Sequence, residues 1–189
     1  MSKNDIRQDI LNKRLSIPQD KVIEISSIIQ DRILRSPFWP KTGRIALYYP
    51  IKNEVMTQTI FQKALEQGLK VFFPRVEKGI NFYEVNGPDD LQKGSYGISE
   101  PKISCPELQA EENLDLFIVP GIAFTQKCYR IGYGKGFYDS FITDNDIKTP
   151  TIGLSYEFQI IEAFPVSDWD QPLQGIMTDK NFYSQDAQS

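Results

Sequence analysis

The sequence contains no histidine. That absence removes every mechanism built on an imidazole: Ser-His-Asp and Cys-His nucleophile systems, and zinc or iron held by histidine. Cysteine is scarce too, with only Cys105 and Cys128 among 189 residues. Two thiols cannot make a four-cysteine zinc site, and this pair is expected to remain free and idle. There is no basic excess either: 25 acidic residues face 21 basic ones, for a formal net charge of -4. A nucleic-acid partner is therefore not expected, and any anionic ligand must be held by locally placed cations and backbone N–H groups. No apolar run is long enough to span a bilayer. The opening "MSKNDIRQDI" mixes acids and bases without an apolar stretch, so neither a secretory signal nor a membrane partner is expected, and the expected location is cytoplasmic. An enzyme with this inventory must work with carboxylates, Lys, Arg, Tyr, backbone N–H groups and a hard metal bound through oxygen.

What is present is ordinary globular material, 40% hydrophobic and 24% charged, in a length that suits one domain with a sizeable core. Ile6, Ile10 and Leu11 fall on one face of a first helix, with Lys3, Arg7 and Arg14 near one another on another. A second helix carries the stripe Val22, Ile25, Ile29 and Ile33, with Asp20 as its expected N-cap, and "SPFWP" ends it. These two helices, residues 3–35, are expected to pack on the rest of the domain. Short apolar runs at 44–50, 70–76, 115–121, 150–156 and 173–179 read as buried strands, and 80–85 as an edge strand. A helix with Thr57 at its N-cap and Gly68 just past its end lies between the first two. The stretch "NGPDDLQKGSYGISEP" reads as a loop, and residues 182–189 as a loose tail. Strands alternating with helices define an α/β fold with a mostly parallel sheet.

In such a sheet the loops after the strand carboxyl ends share one edge, and ligands bind there. That rule gathers Glu54, Arg75, Arg130, Tyr133, Lys135, Tyr138 and Asp139 on one side, while the loop after the strand at 151–154 carries Tyr156 and Gln159. The centre of this set is "RIGYGKGFYD", residues 130–139. Gly132, Gly134 and Gly136 leave backbone N–H groups bare on a concave strip suited to phosphate, and Lys135 adds a point charge within it. Asp139 is either an acid in the first turn of the following helix or an oxygen ligand for Mg²⁺. Familiar nucleotide fingerprints do not fit: the spacing is G-x-G-x-G, not G-x-G-x-x-G, and Lys135 is followed by glycine, not by Ser or Thr.

"RIGYGKGFYDSF" resembles the R-L-G-x-G-x-G-Y-Y-D signature of the 5-formyltetrahydrofolate cyclo-ligase family. In family order, "IALYYPIKNEVMT", "VFFPRV", "YGISEP", "DLFIVPGIAFT", "TIGLSYEFQI" and "WDQPLQGIMTD" are similar to its other segments, and "KNDIRQDILNKR" to its basic first helix. The resemblance implies a three-layer α/β sandwich related to the sugar-phosphate isomerase and CoA-transferase group. It also implies ATP-dependent closure of 5-formyltetrahydrofolate to 5,10-methenyltetrahydrofolate, with Mg²⁺ required and ADP and phosphate as the other products. A monomer is expected, with ATP and the folate as its small-molecule partners. By the same resemblance Lys3 and Arg7 reach the ATP phosphates from the first helix. Arg130, Ile131, Gly132, Tyr133, Gly134, Lys135, Gly136, Phe137 and Tyr138 wrap them, with Lys135, Arg130 and Tyr138 as the catalytic set. Tyr49, Glu54, Tyr133 and Tyr138 meet the folate, and Asp139 and Asp170 hold the metal. Trp169 stands where many members have histidine, leaving it to pack or to cover the site. Two alternatives stay open: a non-catalytic nucleotide or folate module on the same fold, and an isomerase or CoA transferase of the related group.

Overall fold

The computed structural model describes residues 1–94, 98–109 and 111–185. In chain order the strands are β1 (Arg44–Ala46), β2 (Lys70–Val76), β3 (Ile80–Glu84), β4 (Leu91–Lys93), β5 (Ser99–Pro101), β6 (Leu116–Val119), β7 (Ala123–Thr125), β8 (Arg130–Ile131), β9 (Thr151–Leu154), β10 (Ile160–Ile161), β11 (Gly175–Met177) and β12 (Phe182–Ser184). The helices are α1 (Lys3–Leu15), α2 (Gln19–Leu34), α3 (Gln58–Glu66) and α4 (Phe137–Asp144). The main sheet runs β12-β11-β9-β6-β1-β2-β3. Its five inner strands are parallel, and β3 and β12 close its two edges antiparallel.

Strand alternation sorts the core into two faces. Ile45, Val71, Phe73, Leu116, Ile118 and Ile152 point to one side, where Ile29 and Ile33 of α2 and Ile60 and Ala64 of α3 cover them. Ala46, Phe72, Phe117, Val119 and Ile176 point to the other, under Phe137, Tyr138, Phe141 and Ile142 of α4. Helices on both faces of one sheet make three layers. Gly153 sits on the second face, where a Cβ would stand 2.8 Å from a ring carbon of Phe124 and 3.0 Å from Leu173 Cδ1.

The chain leaves β1 through α3 onto the first face and leaves β6 toward α4 on the second. The two neighbouring strands therefore send their loops apart, which opens a crevice at their carboxyl ends. Above it sits a small sheet, β10-β7-β8. Ile6 and Ile10 of α1 pack on Ile122, Ala123, Ile131 and Phe164 of that region. So α1 rides on the small sheet beside the crevice, whereas α2 packs on the main sheet.

Several sequence expectations are corrected. The residue preceding α2 is Pro18, and Asp20 lies inside the first turn. Thr57 does hold the N-cap position of α3, but its hydroxyl donates to the Tyr48 carbonyl (2.9 Å). Gln30 of α2 caps α3 instead, its Oε1 accepting from Thr59 N and Ile60 N. The stretch read as one loop contains the β4–β5 pair, while Ser95, Tyr96 and Gly97 of the expected G-I-x-E-P turn lie outside the described residues. The tail begins later than residue 182, because β12 pairs with β11; residues 186–189 lie outside the description. Cys105 and Cys128 are free, as expected. Among the described residues no helix is long and apolar enough to cross a membrane.

Gly153→Ala should destabilise the protein by about 1–3 kcal/mol through overpacking against Phe124 and Leu173. Denaturant unfolding measures it; an unchanged midpoint would mean that this face is looser than described.

Candidate active site

The crevice at the carboxyl ends of β1 and β6 is a cavity of about 1000 Å³. Its lining includes every site residue that the family resemblance implies: Lys3, Arg7, Tyr49, Glu54, Asp139, Asp170 and the whole run 130–138. Arg75 is not among them. In β2, Pro74 and Val76 face the cavity, so alternation turns Arg75 away. It donates to the Pro101 carbonyl (2.9 Å) and pairs with Glu77 (3.2 Å), fastening β5. Tyr156 and Gln159 are also structural: the Tyr156 hydroxyl donates to Asn53 O (3.0 Å), and Gln159 Nε2 to Ile122 O (2.7 Å).

The glycine-rich strip leaves β8 and enters α4. Gly134 (φ +97°) and Gly136 (φ +67°) occupy the left-handed region, which a side chain disfavours; Gly136 is also the residue preceding α4. A Cβ at Gly134 would face Arg7 at 3.5 Å, and at Gly132 or Gly136 it would meet nothing within 4 Å. Gly132 is thus not required by crowding or by φ. Among the described residues no protein acceptor takes the N–H groups of Gly132, Gly134 or Gly136. Free N–H groups leading into the positive end of an eight-residue helix form a site for an anion.

Cations ring this strip. Arg7 donates from Nε to the Gly132 carbonyl (2.8 Å). Lys135 is exposed and has no charge partner among the described residues. Arg130 is buried beneath, its Nη1 donating to Gln171 O (3.3 Å) and its Nη2 lying 3.0 Å from Asp139 Oδ1. That close approach lacks hydrogen-bond alignment, so the buried Nη2 keeps an unmatched donor. Burial pulls the Arg130 pKa down, and Asp139 opposes the shift.

The two expected metal carboxylates both reach the cavity. Asp139 accepts from Gln171 N (3.2 Å) as well as facing Arg130. Asp170 accepts from Ser167 N (2.7 Å) and pairs with Lys3. Among the described residues no cluster of three acidic or thiol side chains forms a metal cage. Two carboxylates are nonetheless a fitting protein share for Mg²⁺, which completes its shell with water and phosphate oxygens. Trp169, beside Asp170, exposes 73% of its surface at the rim. It is neither packed nor folded down.

The opposite end of the cavity centres on Glu54, 5% exposed. The chain turns sharply at Lys52 and Asn53, both at positive φ, and Ile51 N donates to Glu54 Oε2 (3.0 Å). The Tyr133 hydroxyl donates to Oε1 (3.2 Å). Burial raises the carboxyl pKa from 4.5 to about 7, against the pull of Arg14. Arg14, read from sequence only as a helix-face cation, is fully buried here. The signal was its register seven residues beyond Arg7. Burial also pushes the Tyr133 and Tyr138 hydroxyls well above their ordinary value, so both are neutral hydrogen-bonding groups at physiological pH.

These features define a class: an α/β protein whose ligand cleft lies where a parallel sheet reverses its chain order, with an anion strip on one wall and a buried carboxylate on the other. Within that class, the family model of 5-formyltetrahydrofolate cyclo-ligases matches residues 1–179, and the chain belongs to that family. It is 29% identical over 188 residues to a probable 5-formyltetrahydrofolate cyclo-ligase of Caenorhabditis elegans, covering 93% of this chain and 91% of the relative. It is 25% identical over 174 residues to the cyclo-ligase of Escherichia coli K12, covering 89% and 96%. The fold matches the solution structure of Aquifex aeolicus 5,10-methenyltetrahydrofolate synthetase with a TM-score of 0.85 at 32% identity, over 98% of this chain and 93% of that one. The Mycoplasma pneumoniae synthetase gives 0.77 at 27% identity, over 95% and 100%.

The titration of Glu54 sets a sign for stability. Between pH 4.5 and about 7 the folded protein keeps a proton that the unfolded chain has lost. The cost of burying the charge is therefore absent below that window and complete above it. From about pH 4 to about pH 8, the unfolding free energy of the wild type should fall relative to that of Glu54→Gln, by at most about 3 kcal/mol. Chemical denaturation across pH reads this difference; a gap independent of pH would contradict it.

Proposed function

We propose that this chain catalyses the reaction for which its family is named, the ATP-dependent cyclisation of 5-formyltetrahydrofolate to 5,10-methenyltetrahydrofolate with release of ADP and phosphate. The observation that carries the reading is Tyr133. It stands inside the glycine-rich strip, and its hydroxyl donates to Glu54. One residue therefore joins a phosphate-sized anion site to a buried carboxylate suited to a flat, hydrogen-bonding ligand.

The formyl carbon cannot lose its oxygen directly. In the proposed route that oxygen attacks the γ-phosphorus of ATP, ADP leaves, and the N5 lone pair forms a C=N bond. N10 then attacks the activated carbon and closes the five-membered ring. The C–O bond breaks, phosphate departs, and N10 gives up its proton. No covalent nucleophile from the protein is needed, so the lack of histidine costs nothing. The protein supplies position and charge neutralisation. The bare N–H groups of the strip and Lys135 take phosphate oxygens in this reading, and the buried Arg130 adds positive charge beneath them. Lys3 and Arg7 bring two more cations from α1. Glu54 and Tyr49 face the folate from the β1 loop, and Tyr133 and Tyr138 from the strip and α4. Asp139 and Asp170 would hold Mg²⁺, which would supply further neutralisation of phosphate charge. Phe137 and Tyr138 line the wall that excludes water, and Trp169 at the rim is free to cover bound ligands.

Methenyltetrahydrofolate should accumulate, by absorbance, from 5-formyltetrahydrofolate only when ATP and Mg²⁺ are both present. Absence of product under those conditions would defeat the proposal. Within an active protein, Lys135→Ala should lower kcat/KM for ATP by about tenfold or more, and Asp139→Asn should remove most turnover at saturating Mg²⁺ while folding is retained. Asn is the cleaner replacement because Ala would also strip Arg130 of its packed neighbour. Unchanged constants would take either residue out of its role.

A further inference from the structure

Arg14 is a fully buried charged side chain, on a helix whose Lys3 and Arg7 reach the cavity. Its three donor nitrogens are divided among separate segments. Nε donates to Lys52 O (2.9 Å) in the loop after β1. Nη1 donates to Gly121 O (3.0 Å) in the loop after β6. Nη2 donates to the Tyr133 hydroxyl (2.7 Å) in the glycine-rich strip and lies 3.8 Å from Glu54 Oε1. Asn53 returns the tie, its Nδ2 donating to the Arg14 carbonyl (3.2 Å). A single guanidinium thus spans the crevice where the two loops diverge.

From this geometry we infer that Arg14 is a positioning residue for the Glu54 carboxyl group: acting directly and through Tyr133, it holds Glu54 in place and favours its ionised form against the cost of burial. The inference rests on the proposed role of Glu54 at the folate. Only an arginine meets the geometric demand, because three acceptors in different directions need a planar fork with several donors. A buried carboxylate without that charge would stay protonated to higher pH. Because Arg14 also fixes the loop turn at Lys52 and the Gly121 carbonyl, the same contact sets where Glu54 stands relative to the strip. By accepting from Arg14, the Tyr133 hydroxyl is left with its own proton to give to Glu54, so its hydrogen bond supports the ionised carboxylate.

The groups facing Glu54 are Arg14 from α1, Lys52 from its own loop, Tyr133 from the strip, Tyr48 beside β1, Tyr138 from α4 and Tyr156 beyond β9. Lys52 and Arg14 are the two cations among them. Lys52 is exposed, and its Nζ lies 5.2 Å from the Tyr133 ring centre, so water screens it more than Arg14.

The test is a carboxyl carbon NMR titration of the full-length, ligand-free protein, with the Glu54 signal assigned by Glu54→Gln. Arg14→Gln should raise the Glu54 midpoint by about one pH unit or more, and Arg14→Lys should bring it part of the way back. A merely structural role would lower the melting temperature of both variants without ordering their midpoints. In the wild type, the Arg14 Nε–H signal should shift with the same midpoint as Glu54; this reading holds even if Arg14→Gln does not fold. A Glu54 midpoint unmoved in Arg14→Gln, or an Arg14 signal indifferent to it, would overturn the assignment. These measurements use no substrate, so they fail or succeed independently of the cyclisation assay.

Discussion

The whole arrangement depends on the parting of two chain segments. β1 and β6 lie side by side and parallel, yet one continues to α3 on the first face of the sheet and the other to α4 on the second. Neither loop can cover the gap, so a crevice forms where backbone and side chains from both must be held without a strand ladder. Arg14 supplies part of that hold. Its fork replaces ladder hydrogen bonds with contacts to Lys52 O, Gly121 O and Tyr133. A buried charge is costly unless its donors are matched, and here three acceptors and a nearby carboxylate match it.

The site follows from that parting. α4 must start at the second face, so the strip 132–136 crosses the mouth of the crevice before the helix begins. Left-handed backbone at Gly134 and Gly136 turns it there. The result is a pole of bare N–H groups opposite the Glu54 loop, with Tyr133 between the two. One cavity thus joins two poles: the bare N–H groups with Lys3, Arg7, Arg130 and Lys135 beside Asp139 and Asp170 at one, and the buried Glu54 with Arg14 and Lys52 at the other. Under the proposed route, the first pole offsets phosphoryl charge and the second faces the folate.

Much of this was legible in the sequence because the signals were local. The glycine spacing, the apolar runs ending in Pro50 and Pro120, and the loop rule for parallel sheets brought Glu54, Arg130, Lys135 and Asp139 to one edge. Failures arose where tertiary contacts decide. Arg75 satisfied the loop rule, but the alternation of β2 aims it at Pro101. Thr57 had the right residue type for a cap, yet a side chain 27 positions earlier, Gln30, does the capping. The strands β7, β8 and β10 are two or three residues long, too short to leave a periodic pattern. Arg14 was visible as a cation in register with Arg7, but nothing local announces that a residue will be buried among three loops.

The central claim is that the cleft sets the formyl oxygen against the γ-phosphate, so that this oxygen leaves as phosphate. The most direct measurement is to run the reaction with 5-formyltetrahydrofolate carrying heavy oxygen in the formyl group and to weigh the released phosphate. The account predicts that the label appears in inorganic phosphate with each turnover. Label found in water, with unlabelled phosphate, would contradict it.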